Sequence, residues 1–357
     1  MPEFERTKGF KKEALQYLAC PLCGNNLFLE NTERNDMQSG TLTCTSGCRS
    51  YPIQEGVPRL LPELNEPKQN GEEYQNSTGR SFSAQWNLYE YGNTTWGTTV
   101  PDRMQVVLHE LGWTESDLSG KVILDAGCGN GTLSRALVDR GATVVGIDLS
   151  ESVFRAQANC AAPNLHFVQG NLFFPPFRAE VFDAIYSCGV FHHTPDTRRC
   201  FDALVPVLKN DSQIRYFIWL YSKRSWLFNA TVEQFMKLTR RMPSWLLVPA
   251  CIGMAPIVEV GSRFATLLKI VEYAPRNLRD RAVQLHDLLS PAFVHYHRFE
   301  EAKSWAEAKG FQSIQKTTYS DPKCLHKNHI LQRYLTVCRP GFGMLCRTLE
   351  ATGEKPV

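Results

Sequence analysis

Between residues 122 and 132 the chain reads Val-Ile-Leu-Asp-Ala-Gly-Cys-Gly-Asn-Gly-Thr, an apolar run that passes straight into three glycines within five positions. A short apolar run bounded by glycine reads as a strand, and glycines ahead of a helical pattern let the backbone turn tightly and bring a ligand close to a helix N-terminus. Such a turn commits the chain on either side to a strand-turn-helix unit. The same rhythm continues downstream. Strands are predicted at 122–125, 143–148, 166–169, 182–186 and 213–220, with helices at 132–139, 152–161 and 198–208. Strands separated by helices of this length imply βαβ units and a parallel sheet, so the fold class is α/β. A helix at 102–111 precedes the alternation. A helix at 300–309, a strand at 313–318 and an edge strand at 330–338 follow it, with a poorly ordered tail over 339–357. Residues 221–292 interrupt the pattern as a helix-rich insertion.

Twelve cysteines accompany this pattern, and four of them, Cys20, Cys23, Cys44 and Cys48, form a CxxC and a CxxxC pair near the N-terminus. The first residues, Met1-Pro-Glu-Phe-Glu-Arg-Thr-Lys, lack the apolar run of a secretory signal, so a cytoplasmic chain is expected. In that setting paired cysteines read as metal ligands rather than disulfides. Two tight turns bring four thiolates to one tetrahedral Zn²⁺, and four thiolates close the coordination sphere, which makes the site structural. Gly24 and Gly47 suit the positive φ those turns need. The ribbon spans 8–62, opening with a helix over 10–19. The polar stretch 63–80 reads as a linker.

Charge narrows the partners. Thirty-nine Lys and Arg against 36 Asp and Glu leave a net charge of +3, which gives little support to a dedicated nucleic-acid binder. The longest uncharged stretch, 242–258, carries Pro243, Pro249 and Pro256. It reads as buried helices or a lid, with a membrane-surface or lipid-binding role as the alternative, and not as a transmembrane segment, because prolines interrupt a helix and 17 residues fall short of a span.

The GxGxG spacing differs from the GxGxxG of dinucleotide sites. It is preceded by Asp125, which can accept from an amino group, and followed by Asp148 at the end of the next strand, where a carboxylate can accept both hydroxyls of a ribose. Over residues 81–338 the chain resembles the class I S-adenosylmethionine-dependent methyltransferase family. The resemblance implies a Rossmann-like seven-stranded sheet with S-adenosylmethionine as cofactor. Gly127 and Gly129 would line its methionine and ribose, Asp148 would hold the ribose diol and Leu149 would pack on the adenine. Asn171 stands where the family often has an acid contacting the adenine, and Cys188 would face the methionine portion. The aromatic segment from Phe82, including Trp86, is expected to fold over the cofactor. The stretch Leu18-Ala-Cys-Pro-Leu-Cys-Gly, with 51–62, resembles the Trm112-like zinc-ribbon family, whose members occur free or fused to methyltransferases.

Methyl transfer from a sulfonium is an in-line displacement in which much of the catalysis is positioning, and a base is needed only if the acceptor must lose a proton. His192, His193, His295 and His297 are the candidate proton-handling groups. Cys324-Leu-His326-Lys-Asn-His329 reads as a surface loop. The expected acceptor is a small molecule, such as a natural-product, sugar or lipid intermediate. The competing reading is an RNA methyltransferase that grips nucleic acid with its ribbon. A third is a non-enzymatic scaffold.

Overall fold

The computed structural model describes residues 9–30, 36–62, 79, 82–83, 94–95, 98–223, 232–240, 242–267, 277–317 and 341–349. Trp86, the polar stretch 63–78, the edge strand expected at 330–338 and the Cys324 to His329 loop lie outside them. The strands are β1 (Phe10–Lys11), β2 (Leu27–Leu29), β3 (Asp36–Met37), β4 (Ser39–Cys44), β5 (Ser50–Gln54), β6 (Val57–Leu60), β7 (Thr94–Thr95), β8 (Thr98–Thr99), β9 (Val122–Ala126), β10 (Thr143–Asp148), β11 (Leu165–Gly170), β12 (Ala184–Cys188), β13 (Arg215–Tyr221), β14 (Phe311–Thr317) and β15 (Gly341–Leu349). The helices are α1 (Val100–Leu111), α2 (Thr132–Val138), α3 (Ser152–Cys160), α4 (Thr197–Leu204), α5 (Val232–Thr239), α6 (Ser244–Leu267), α7 (Leu278–Leu289) and α8 (Phe299–Ala308).

Eleven strands form one sheet in the order β14-β15-β13-β12-β9-β10-β11-β6-β5-β4-β2. The run β6-β11-β10-β9-β12-β13 is parallel throughout, and β15 enters antiparallel between β13 and β14. The seven strands from β14 to β11 are the expected α/β sheet. The central strands are buried on both faces, as helices on both sides require. On one face α1, α2 and α3 contribute Met104, Val107, Leu111, Ala136, Leu137, Val153 and Ala156. On the other lie Phe201 and Leu204 of α4 and Ala302, Trp305 and Ala306 of α8.

The ribbon is not a separate body on a tether. Its strand β6 pairs in parallel with β11, setting Arg59 opposite Gln169 and Leu60 opposite Gly170. Phe10, Leu18, Leu29, Leu42 and Tyr51 share one apolar core with Val145, Ile147, Val168 and Phe182 of the larger sheet. Polar contacts fasten the seam. The buried Lys11 ammonium donates to the carbonyls of Ala162, Pro163 and Leu165, the last at 3.2 Å, and Arg178 Nε donates to the Leu18 carbonyl at 3.2 Å.

Three expectations are corrected. Residues 10–19 form no α-helix: β1 and a 3-10 turn (Lys12–Gln16) take their place. The backbone of Leu18 and Ala19 bridges instead to Phe177 and Asn26. The tail expected from 339 contains β15, an interior strand. Gly341 and Gly343 disguise it in the sequence, yet both are needed, since a Cβ would lie 2.1 Å from the Trp219 ring at one and 2.7 Å from Phe217 at the other. The prolines do not break the insertion. Pro249 and Pro256 sit inside the 24-residue α6, and the carbonyls four residues before them belong to the exposed Trp245 and Ile252. Nor is α6 buried. It is long and apolar enough to cross a membrane by length and composition, with only 28% of the qualifying window inside the protein.

Candidate active site

Because β9 to β13 run parallel, their carboxyl ends share one edge of the sheet, where ligands bind in open α/β folds. Most of the cofactor residues expected from the sequence collect there. The chain leaves β9 through the glycine turn, with φ of 89° at Gly127, 54° at Gly129 and 75° at Gly131, all in the region that favours glycine. A Cβ at Gly127 would lie 2.2 Å from a Val190 methyl, so the turn is also closed from the β12 side.

The Asp148 carboxylate at the end of β10 accepts the Gly129 N–H at 2.9 Å on Oδ2, and the Ser150 N–H and hydroxyl at 2.8 and 2.6 Å on Oδ1. These bonds fix the carboxylate in place, with Oδ2 on the side of the glycine turn. Asp125 is buried beneath the turn and accepts from Ser134 Oγ at 2.6 Å. Burial pushes its carboxyl up to about 6 and raises Asp148 as well, so both favour a hydrogen-bond donor as partner. Leu149 accepts through its carbonyl from Gln169 Nε2 at 3.2 Å, and Gln169 Oε1 in turn accepts from Arg59 Nε at 2.8 Å. The ribbon is thereby connected to the segment expected to face the adenine. Asn171, 2% exposed, folds its carbonyl onto the Phe173 N–H at 2.9 Å, which places part of its accepting capacity within its own loop.

Three described residues ahead of α1 reach this edge. Gly79 lies against Leu149, Ser83 Oγ accepts from the Glu151 N–H at 2.9 Å, and the Phe82 ring stands 5.5 Å from His193. These residues touch both the Leu149 side and the His193 side of the site.

The histidines divide by their partners. His193 Nδ1 is 3.0 Å from the Phe293 carbonyl. A carbonyl only accepts, so Nδ1 carries the hydrogen, and it is Nε2 that would hold the lone pair when the ring is neutral. His192 is fully buried with its ring 3.8 Å from Tyr221 and 4.3 Å from His193, and its carbonyl accepts the His295 N–H at 2.8 Å. His295 is partly exposed, and burial together with the neighbouring His297 lowers its pKa. His297 is a staple: Nδ1 meets Glu301 at 3.1 Å and Nε2 meets Thr197 at 3.0 Å, joining α8 to α4.

Cys188, at the end of β12, belongs to a network that the residue pattern does not reveal. Arg103 of α1 donates to Tyr186 Oη at 3.0 Å, and that hydroxyl donates to the buried Glu110 at 2.7 Å. Burial raises the Glu110 carboxyl and the Cys188 thiol. Tyr221 was also missed. Its place as the last residue of a parallel strand was the available signal.

At the N-terminal pole the four sulfurs of Cys20, Cys23, Cys44 and Cys48 lie within 4.8 Å of one another, with Cys20 and Cys48 3.3 Å apart and Cys23 3.5 Å from both Cys44 and Cys48. Tetrahedral zinc with Zn–S near 2.3 Å separates its sulfurs by about 3.8 Å, so the donor set fits Zn²⁺. Gly24 and Gly47 adopt φ of 73° and 72°, as the turns demand.

A parallel sheet with one antiparallel strand inserted beside its last member, and a glycine turn backed by two strand-end carboxylates, is the arrangement expected from the resemblance to class I methyltransferases. Comparison with known families agrees. Residues 124–215 match the methyltransferase domain family and residues 11–56 match the Trm112p-like family. The chain is thus similar to a methyltransferase domain over the central strands of its sheet and to a Trm112p-like protein over its ribbon. Among curated relatives, the ubiquinone biosynthesis O-methyltransferase of Pseudomonas fluorescens (strain Pf0-1) is 32% identical over 136 residues, covering 35% of this chain and 56% of that protein. That of Coxiella burnetii (strain Dugway 5J108-111) is 35% identical over 95 residues, covering 26% and 41%. The chain thus spans about half the length of the curated relatives it matches. Among solved structures, magnesium protoporphyrin IX methyltransferase from Synechocystis PCC 6803 with bound SAH aligns at 16% identity and a TM-score of 0.43, covering 77% of this chain and 99% of that one.

Proposed function

We propose that the chain transfers the methyl group of S-adenosylmethionine to a small-molecule acceptor held between the carboxyl ends of β12 and β13 and the segment that follows α7. The observation that carries this reading is the convergence of Asp125, the Gly127–Gly131 turn and Asp148 on one sheet edge, with His193 three residues beyond the Val190 that packs on Gly127.

The cofactor, when bound, supplies an electrophilic methyl on a sulfonium. Asp148 and Asp125 fit its hydroxyls and amino group. The Phe82 and Ser83 cover excludes water from the transfer. His193, with Nδ1 fixed on the Phe293 carbonyl, has Nε2 to accept a proton from a hydroxyl acceptor, and Tyr221 with His192 holds that ring in place. Curated relatives named as O-methyltransferases support an oxygen acceptor.

Ribbon chemistry favours a small molecule over RNA. Of its basic side chains, Lys11 is turned inward onto carbonyls and Arg59 bonds Gln169 and Gln54, so neither is presented to a phosphate backbone. The test is isothermal titration with S-adenosylhomocysteine followed by methyl transfer to a panel of phenolic, catecholic and amine acceptors. His193→Asn is expected to leave S-adenosylhomocysteine affinity within about twofold and to lower kcat by about 10²-fold or more on a hydroxyl acceptor. Unchanged kcat with every acceptor would remove His193 from proton transfer. Failure to bind S-adenosylhomocysteine would overturn the reading itself.

A further inference from the structure

A helix on a water-facing surface buries one apolar stripe and exposes a polar face. Helix α6 buries Leu247, Val248, Cys251 and Ala255 and is also apolar over most of its outer face, where Arg263 is the exposed charge among the described residues. Its carboxylate, Glu259, is 3% exposed and faces α7, where the fully buried Arg281 donates to it through Nε at 3.1 Å and also through Nη2; Arg263 Nε donates at 2.8 Å. The outer face instead presents Trp245, Leu246, Ile252, Ile257, Val260 and Phe264, each between 44% and 76% exposed, and no charged side chain from residue 244 to 258. Leu267 continues this face at 78%. Exposed Phe235 and Leu238 on α5 and Leu278 on α7 stand on the helices that complete the cap. An apolar face this continuous on a protein surface marks a contact with something apolar.

Charge identifies the occupant. Residues 221–292 hold ten Lys and Arg against five Asp and Glu, a net +5, whereas the whole chain is only +3. In the described cap Glu233 pairs with Arg240, Glu259 with Arg281 and Arg263, and Lys223 with Glu301, while Asp280 and Asp287 bond Asn277 and Tyr221, which leaves Lys237 and Arg279 outside these pairs. Lys237 and Arg279 are exposed beside Phe235, Leu238 and Leu278. An apolar face bordered by two exposed bases, on an insertion of net positive charge, complements an anionic lipid surface.

We propose that the α5–α7 cap seats this protein on an anionic membrane, with α6 lying in the plane of the headgroups and its Trp245 to Leu267 face at the acyl boundary. The helix lies along the membrane and does not cross it, because its opposite face is fixed by Leu247, Val248, Cys251 and Ala255 against the neighbouring helices. Crossing would also carry the Glu259–Arg281 pair into the hydrocarbon. The docked cap reaches the acceptor side of the sheet, since α7 leads directly into Phe293, whose carbonyl holds His193. Membrane seating is independent of the methyl-transfer reading and is measured without cofactor.

The experiment is flotation of the full chain with vesicles of phosphatidylcholine containing one third phosphatidylglycerol, and with pure phosphatidylcholine. The chain is expected to float with the anionic vesicles and to bind neutral ones more weakly. Ile257→Glu and Phe264→Glu are each expected to reduce the bound fraction about tenfold. Both side chains are exposed, so thermal midpoints and S-adenosylhomocysteine affinity should stay as in the parent. Ile257→Ser, without an added charge, should fall between. A chain that remains in the aqueous fraction with both vesicle types overturns the proposal, as does an Ile257→Glu variant that floats like the parent. Light scattering that shows a dimer in vesicle-free buffer, dispersed by Ile257→Glu, with no flotation, would assign the face to a second copy of the chain.

Discussion

Gly127→Ala separates two demands that the glycine turn makes at once. The first is conformational: φ is 89°, and an L residue held there costs about 1–2 kcal/mol. The second is steric. The new Cβ would lie 2.2 and 2.9 Å from the two Val190 methyls and 3.1 Å from the Val190 Cβ, too close for a small adjustment, and overpacking of this kind costs about 1–3 kcal/mol. The single variant should therefore lose roughly 2–5 kcal/mol of stability by these two effects. Val190→Ala alone should cost about 1–2 kcal/mol through lost burial of a half-buried side chain. In the double variant the methyl overlap disappears and the backbone strain remains, so the two losses should fall short of their sum by about 1–3 kcal/mol. Urea unfolding of the four proteins measures that coupling. Titration with S-adenosylhomocysteine measures the turn, and both Gly127→Ala variants are expected to bind weakly because strain moves the loop in each. Additivity within about 0.5 kcal/mol would refute the assigned contact between Val190 and the turn. Undiminished binding by Gly127→Ala would refute the placement of the cofactor against it.

Two further outcomes follow from the site and the seam. Asp125 has its carboxyl raised by burial from the ordinary 3.8 to about 6, so the folded protein binds that proton more tightly than the unfolded one. Stability from this group is full below about pH 4 and is lost as pH rises through 6, by at most roughly 3 kcal/mol. Asp125→Asn, neutral throughout, should match the parent near pH 4 and exceed it at pH 7 in cofactor-free melts, while binding S-adenosylhomocysteine more weakly; a pH-independent difference would contradict the burial argument. Chelation of zinc, or Cys44→Ser, should unfold the ribbon and strip β6 from β11, lowering the midpoint of the whole protein by on the order of 5 °C or more and weakening S-adenosylhomocysteine binding. An unchanged melt after the metal is shown to be gone would mean that the shared core does not depend on the ribbon.

Much of the sheet was legible because its strands and helices obey local rules. The strand from Val122 is an apolar run, the glycines that follow need no tertiary information to be recognised as a turn, and the strand-end position of Asp148 follows from the register of the run before it. The zinc ligands were readable for the same reason, since two short spacings and two glycines are local geometry. What failed was non-local. Gly341 and Gly343 argue against a strand until Trp219 and Phe217 are seen to occupy the space their side chains would need. Arg103 and Glu110 share one face of α1 but Tyr186 is more than 70 residues away, and only the packing of α1 on the sheet unites them. The four histidines looked equivalent, yet hydrogen bonds assign His297 to a staple and leave His193 with an oriented ring.

The sequence by itself determined the chemistry that short stretches can encode: a strand-turn-helix with carboxylates at its edge, a four-thiolate cluster, and a helix-rich insertion of apolar and basic residues. Tertiary structure decided how those parts face one another. The ribbon's last strand continues the larger sheet because β11 presents an open edge of unpaired backbone donors and acceptors, which β6 satisfies. It also decided the orientation of α6, whose composition is that of a buried helix. Leu247, Val248, Cys251 and Ala255 pack inward together with the Glu259–Arg281 pair, since a carboxylate and a guanidinium leave water together or not at all, and the second apolar face is left outward.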